Sequence, residues 1–183
     1  LAGESGDPEG WQKLVAAYEK AAATDGIPAD AALPLLQVVA QVNEERLGNP
    51  AHAVEVNRRV LELDENNEQA LSALERLYLA TSRFPDLLGV YEKKLALEAD
   101  PQARRDIRYR IASLFEEEVK DPARAIDSYL AILVTDGDEL PALSALDRIY
   151  TQTARWTELS DIVTRELAIV DASDVGAVAD LQS

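Results

Sequence analysis

The sequence predicts an all-α protein built from antiparallel helix hairpins stacked on one another. Two observations carry that fold class. Residues 49–84 align with residues 121–156 without a gap, 72 positions apart, and self-similarity at a fixed period marks a repeat array. Within each copy the apolar residues recur at i, i+3, i+4 and i+7, which is one face of a helix, and no stretch alternates as a strand would. Ala53, Val54, Val60 and Leu61 form one such face; Leu71, Leu74, Leu77 and Tyr78 form the next.

The repetition is explicit. "ALSALERLYLATSRF" at 70–84 returns as "ALSALDRIYTQTARW" at 142–156. Asn49-Pro50-Ala51 meets Asp121-Pro122-Ala123, Leu61 meets Leu133, Asp64 meets Asp136, and Arg76 with Tyr78 meets Arg148 with Tyr150. Trp11, Phe84 and Trp156 extend the register, each followed three residues later by Leu14, Leu87 or Leu159. Tyr18 and Tyr91 hold the next place, taken by Val163 in the third copy, and one extra residue between Glu19 and Asn49 changes the spacing from 73 to 72. Gly48 can close one helix, and Asn49-Pro50 offers a cap and a proline at the first helical position of the next. Asp121-Pro122 repeats that signal. Short connections of this kind join antiparallel neighbours, so each period holds two hairpins of about 34–38 residues.

The stretch "LGNPAHAVEVNRRVLELDENNEQALSALERLYLATSRF" resembles tetratricopeptide repeats. Ala53, Val60, Leu71, Leu74 and Tyr78 stand at that family's packing places, and "LELDENN" matches its helix-ending turn, with Glu65 where proline is usual. Leu71 and Leu143 replace the frequent tryptophan, and Glu75 and Asp147 a usual small residue, so the repeats are degenerate. The resemblance covers about residues 11–170. It implies a right-handed α-solenoid whose first helices (A) line a concave groove while second helices (B) form the outside. In order, the pattern places a flexible leader at 1–10, glycine-rich and acidic, and a lone B helix at 11–23. Hairpins follow near 33–63, 68–98, 102–135 and 139–170. Residues 171–183 align with the A helix at 102–119 and give the truncated start of a further repeat. Solenoids carry polar capping repeats at their ends, and none is recognisable here, so the array reads as the interior of a longer protein.

Composition narrows the function. The 183 residues carry a net charge of −16, one His, no Cys and no Met. Phosphate neutralisation needs basic clusters, so nucleic acid is excluded as a partner, as are anionic membrane surfaces. No apolar run reaches the ~20 residues of a membrane span. Without Cys there are no disulfides, thiolate nucleophiles or thiolate zinc sites. His52 alone cannot form a constellation needing two imidazoles, and it lies in the first turn of a B helix, a surface place. No phosphate loop or nucleophile elbow occurs. The stretch "DENNEQALSALE" offers Asp64, Asn66, Glu68 and Glu75 at calcium-loop spacing, but Gln69 stands where that loop needs glycine, and the second half must be helix. "FEEEV" at 115–119 reads as a solvated acidic face. The chain is expected to be no enzyme and to take no cofactor or metal. An excess of Arg over Lys and abundant Ala fit a GC-rich, bacterial genome, with cytoplasm and periplasm equally open.

Function is therefore sought on the A helices, at places that serve no packing. The family's inward positions fall on Gln37, Gln41, Glu44 and Glu45, on Ser72 and Arg76, on Tyr109, Ser113, Glu116 and Glu117, and on Ser144 and Arg148. Acidic and basic layers would alternate. Arg76 and Arg148 would hold a carboxylate or carbonyl of an extended or helical ligand, Tyr109 would pack its apolar portion, and the glutamates would take its basic residues. Alternatively, each arginine pairs with a glutamate of the adjacent layer and stiffens the array. The lysine and asparagine set with which some family members clamp a terminal carboxylate is not present at these places. The leading reading is a scaffold or adaptor that binds a protein or peptide with basic segments. A rigid spacer in a multidomain protein and a regulatory domain beside a catalytic one stand as alternatives. Oligomeric state is not legible.

Overall fold

A computed structural model describes the backbone of residues 7–180 and the side chains of residues 7–170. Nine α-helices and one π-helical turn make up the described residues, with no strand among them. The chain divides into two compact units after Leu97. The first holds α1 (Pro8–Ala22), α2 (Ala29–Glu45), α3 (Pro50–Leu63), α4 (Glu68–Ala80) and α5 (Phe84–Leu97). The second holds α6 (Pro101–Ser113), the π-helical turn (Leu114–Val119), α7 (Pro122–Asp136), α8 (Leu140–Gln152) and α9 (Trp156–Asp180). In each unit every helix packs on the next in sequence. The fold class is all-α, made of antiparallel hairpins.

One device starts four of these helices. Asp7, Asn49, Asp100 and Asp121 each precede a proline at the first helical position, and each side chain accepts a backbone N–H of the first turn. The bonds run from Glu9 N at 3.1 Å, His52 N at 3.2 Å, Ala103 N at 2.9 Å and Arg124 N at 3.0 Å. Proline has no N–H to lose there and arrives with helical φ, while the cap satisfies one of the orphan donors.

The same device corrects the leader. Asp7-Pro8 starts α1 at Pro8, so residues 8–10 are helical, whereas residues 1–6 lie outside the described residues. α2 likewise begins at Ala29 and carries Pro34 inside it, ahead of the expected 33. At the other end α9 runs unbroken over 25 residues to Asp180. The new helix expected from 171 does not begin there: α9 continues through "ASDVG", which holds no Asx-Pro start. Residues 181–183 lie outside the described residues.

Those stops repeat as faithfully as the starts. Gly48 and Lys120, 72 residues apart, both take left-handed backbone at φ 59° and 58°, and Ser82 and Ala154 do so at 54° and 55°. After the first pair, Asn49 N donates to Asn43 O (2.8 Å) and Asp121 N to Phe115 O (2.9 Å). After the second, Arg83 N donates to Tyr78 O and Arg155 N to Tyr150 O, both at 2.9 Å. Each of those arginines also lies 5.0 Å over the ring of the same tyrosine.

The repeated apolar places form much of the core. Leu71, Leu74, Leu77 and Tyr78 are buried in the first unit, and Leu143, Leu146, Ile149 and Tyr150 in the second. Ala53, Val54 and Val60 correspond to Ala125, Ile126 and Ile132, all buried as well. Leu74→Ala and Leu146→Ala should each lower stability by about 2–5 kcal/mol, read from urea unfolding. A cost under ~1 kcal/mol at either place would contradict their role in closing helix on helix. A side chain at left-handed φ is strained where glycine is not. Gly48→Ala should therefore cost about 1 kcal/mol while Lys120→Gly costs nothing measurable. Equal losses in the two variants would rule out backbone strain as the cause.

Candidate partner-binding faces

The sequence-derived candidates all fall on A helices or on the turn extending one. Gln37, Gln41, Glu44 and Glu45 lie on α2, and Ser72 and Arg76 on α4. Tyr109 and Ser113 lie on α6, Glu116 and Glu117 on the π-helical turn, and Ser144 and Arg148 on α8.

In the first unit five of these residues surround one cavity of about 510 Å³: Gln37, Gln41, Glu44, Glu45 and Arg76. Ser72 is exposed and outside that lining. Arg76 donates from Nε to Glu44 Oε1 and from Nη2 to Glu44 Oε2, both at 2.7 Å. This bidentate bond is the main reason that the Arg76 guanidinium holds its proton more tightly than usual. Gln37 Nε2 donates to Gln69 Oε1 at 3.0 Å, and Gln41 Nε2 to Glu45 Oε1 at 3.1 Å. Asn57 of α3, only 5% exposed, also lines the cavity and commits its Nδ2 to the Ala53 carbonyl at 2.8 Å.

The second unit builds the same ion pair 72 residues on. Arg148 donates to Glu116 Oε1 from Nε at 3.0 Å and from Nη2 at 2.6 Å. Here Tyr129 of α7 adds a third donor, its hydroxyl reaching Glu116 Oε2 at 2.9 Å. The Tyr109 ring packs against Tyr129, with centroids 6.4 Å apart and planes tilted by 57°. Its hydroxyl is buried near the Ala142 amide, outside hydrogen-bond geometry. Tyr109 thus packs within the protein, where the sequence reading gave its ring to a ligand. Ser144 Oγ donates to Glu166 Oε1 of α9 at 2.9 Å, and Glu117 is exposed. Burial pushes Tyr109 up and is also the largest cause holding Tyr129 at about 12.

In the repeat register Gln37 and Asn57 of the first unit correspond to Tyr109 and Tyr129 of the second. The sequence reading did not place Asn57 or Gln69 at the site. Asn57 did have a signal, since the register sets it against a tyrosine. Gln69 had only its exchange for Pro141.

The remaining motifs resolve as structure. His52 bridges α1 and α3, with Nε2 2.9 Å from Glu19 Oε1 and Nδ1 3.3 Å from Glu55 Oε2. In the 64–75 stretch Asp64 accepts from Asn66 N and Asn67 Nδ2, while Glu75 pairs with Lys94 of α5. That stretch is a turn and the start of α4.

Comparison with known proteins agrees with this architecture. A tetratricopeptide repeat family model matches residues 70–105 and 142–174, segments that begin 72 positions apart in α4 and α8. No curated protein matches the sequence. Among solved structures, a crystal structure of MamA is similar at a TM-score of 0.50 and 15% identity, covering 95% of this chain and 99% of that one. A MamA RS-1 ArsTM double mutant follows at 0.48 and 17%, covering 93% and 99%. The crystal structure of BtubC (BKLC) from P. vanneervenii gives 0.42 and 18%, covering 88% and 71%. The first of these likenesses supports the helical-repeat fold.

The tyrosine pair makes the second unit sensitive to alkali. Folding holds Tyr129 at about 12, above its ordinary 10.0. Its contribution to stability is therefore complete below about pH 10 and is lost as pH rises toward 12. Tyr129→Phe gives up the bond to Glu116, about 1 kcal/mol at neutral pH, and removes this part of the alkaline loss. Urea midpoints measured from pH 8 to 12 should converge for the two proteins. Parallel curves would contradict the shift.

Proposed function

We propose that this chain, which carries tetratricopeptide repeats at 70–105 and 142–174, is a protein-interaction module, a scaffold or adaptor segment whose A-helix faces receive a polypeptide. The observation that carries the reading is the A face of the first unit. There the carboxamides and carboxylates of α2 and the guanidinium of α4 surround an open cavity, above a core that does not need them. Preformed polar surface on rigid helices binds a chain with little ordering cost on its own side. The net charge of −16 favours partners with basic segments. Tetratricopeptide repeats typically serve binding rather than catalysis.

A rigid spacer is the second reading, favoured by the two arginine–glutamate pairs. Arg76 and Arg148 each bond a glutamate 32 residues earlier, on the preceding A helix or its π-helical extension. That arrangement stiffens a unit without any ligand.

Affinity capture from source-cell lysate, comparing the chain with its Arg76→Glu/Arg148→Glu variant, separates the readings. The reversal sets a carboxylate opposite Glu44 and another opposite Glu116, so thermal melting is recorded for both proteins. A protein held by the wild type and released by a folded variant supports the interaction module. Capture by neither favours the spacer, and equal capture by both removes the A-helix arginines from the contact.

A further inference from the structure

We infer that the cavity of the first unit takes the guanidinium or ammonium head of a basic side chain carried on a polypeptide partner. This inference rests on the interaction reading above and adds the chemistry of one contact.

The first argument is the balance of donors and acceptors. One amide hydrogen each of Gln37, Gln41 and Asn57, and Nε and Nη2 of Arg76, donate within the protein. The lining keeps the carbonyls of Gln37, Gln41 and Asn57 and the Glu45 carboxylate as acceptors, beside the second hydrogens of those amides and the Gln69 amide. Glu44 and Glu45 against Arg76 leave one net negative charge. An anionic ligand would meet that charge unfavourably, whereas an ammonium or guanidinium offsets it and donates to the carbonyls and to Glu45. About 510 Å³ holds a long side chain with bridging waters.

The second argument comes from the protein's own repeat. In the second unit Tyr129 supplies an internal hydroxyl to Glu116, and Tyr109 packs against it. In the first unit Asn57 stands at the Tyr129 place and turns its Nδ2 to Ala53, so the donor that Glu116 receives has no counterpart on Glu44. Gln37 at the Tyr109 place contributes no ring. The same two places thus carry packed tyrosines in one unit and shorter carboxamides beside an open cavity in the other. A donor from outside completes the first unit as Tyr129 completes the second.

The test uses the 183-residue chain and fluorescence anisotropy with eleven-residue Gly/Ser/Ala peptides. One peptide carries a central arginine, one a citrulline of the same shape without charge, and free argininamide serves as competitor. The arginine peptide is expected to bind one per chain and the citrulline peptide at least tenfold more weakly. Gln37→Tyr/Asn57→Tyr, which installs the residues of the second unit, should weaken the arginine peptide at least tenfold. Should that variant fail a circular-dichroism check of folding, the exposed Glu45→Gln is expected to weaken it several-fold. The reverse exchange, Tyr109→Gln/Tyr129→Asn, should raise the stoichiometry to two. Undiminished binding to the filled variant, or equal binding of the citrulline peptide, overturns the cavity assignment and leaves the interaction module to the lysate experiment. Argininamide that competes as well as the peptide overturns the polypeptide source. An arginine peptide that does not bind the wild-type chain overturns the inference outright.

Discussion

A single helix hairpin exposes an apolar face that it cannot cover, and every other property of this chain follows from how that face is closed. Leu71, Leu74 and Leu77 of α4 and Leu143 and Leu146 of α8 are buried because the neighbouring helices in sequence lie against them. Replacing any of them leaves a hole that the stack cannot collapse around. The repeated residues are accordingly those that seat helix on helix, or that turn the chain at the junctions. Polar positions on the A helices are released from that duty: some differ, such as Gln41 and Ser113, and others repeat, such as Arg76 and Arg148.

The two arginine–glutamate pairs show how such freedom is used. Their repetition at the same register makes them part of the unit and not an accident of one surface. Arg76 and Arg148 remain more than half exposed at the side chain, while Glu44 and Glu116 are three-quarters or more covered. Ion pairs with so much solvent contact contribute about 0–1 kcal/mol, too little to explain their placement by stability alone. What they do fix is the direction of each guanidinium. A partner carboxylate would have to share or displace a glutamate already bound, whereas a partner cation meets oxygen directly.

Much of the fold was legible in the sequence, because its punctuation is written in residue types with one physical meaning. Asn49-Pro50 and Asp121-Pro122 state where helices start, and the four-residue apolar spacing states which face is covered. The reading slipped where that punctuation was misjudged. Asp7-Pro8 is the same start signal inside a stretch that its glycines made look like a leader, and 171–180 has no stop to end a helix. The π-helical turn at 114–119 left no mark, since "LFEEEV" suits an ordinary helix equally well. At the candidate site, the sequence placed the arginines and glutamates on the right helices but could not choose between a ligand and each other, because both uses need the same spacing. The cavity was harder still: it is made of side chains too short to fill it, and only the exchange of Tyr129 for Asn57 hinted at missing volume.

The 72-residue spacing has a consequence for how such an array can change. Its helix pattern has a period of one hairpin, but its arginine–glutamate pairs have a period of two. Acidic α2 is followed by α4 with its arginine, and the acidic turn after α6 by α8 with its own. Loss or gain of a single hairpin within a unit would part a glutamate from its arginine. Changes by whole pairs keep the two together. The unit of heredity in this chain is therefore the doublet, and lengthening it by doublets keeps each arginine with its glutamate while leaving each new copy free to vary beside them.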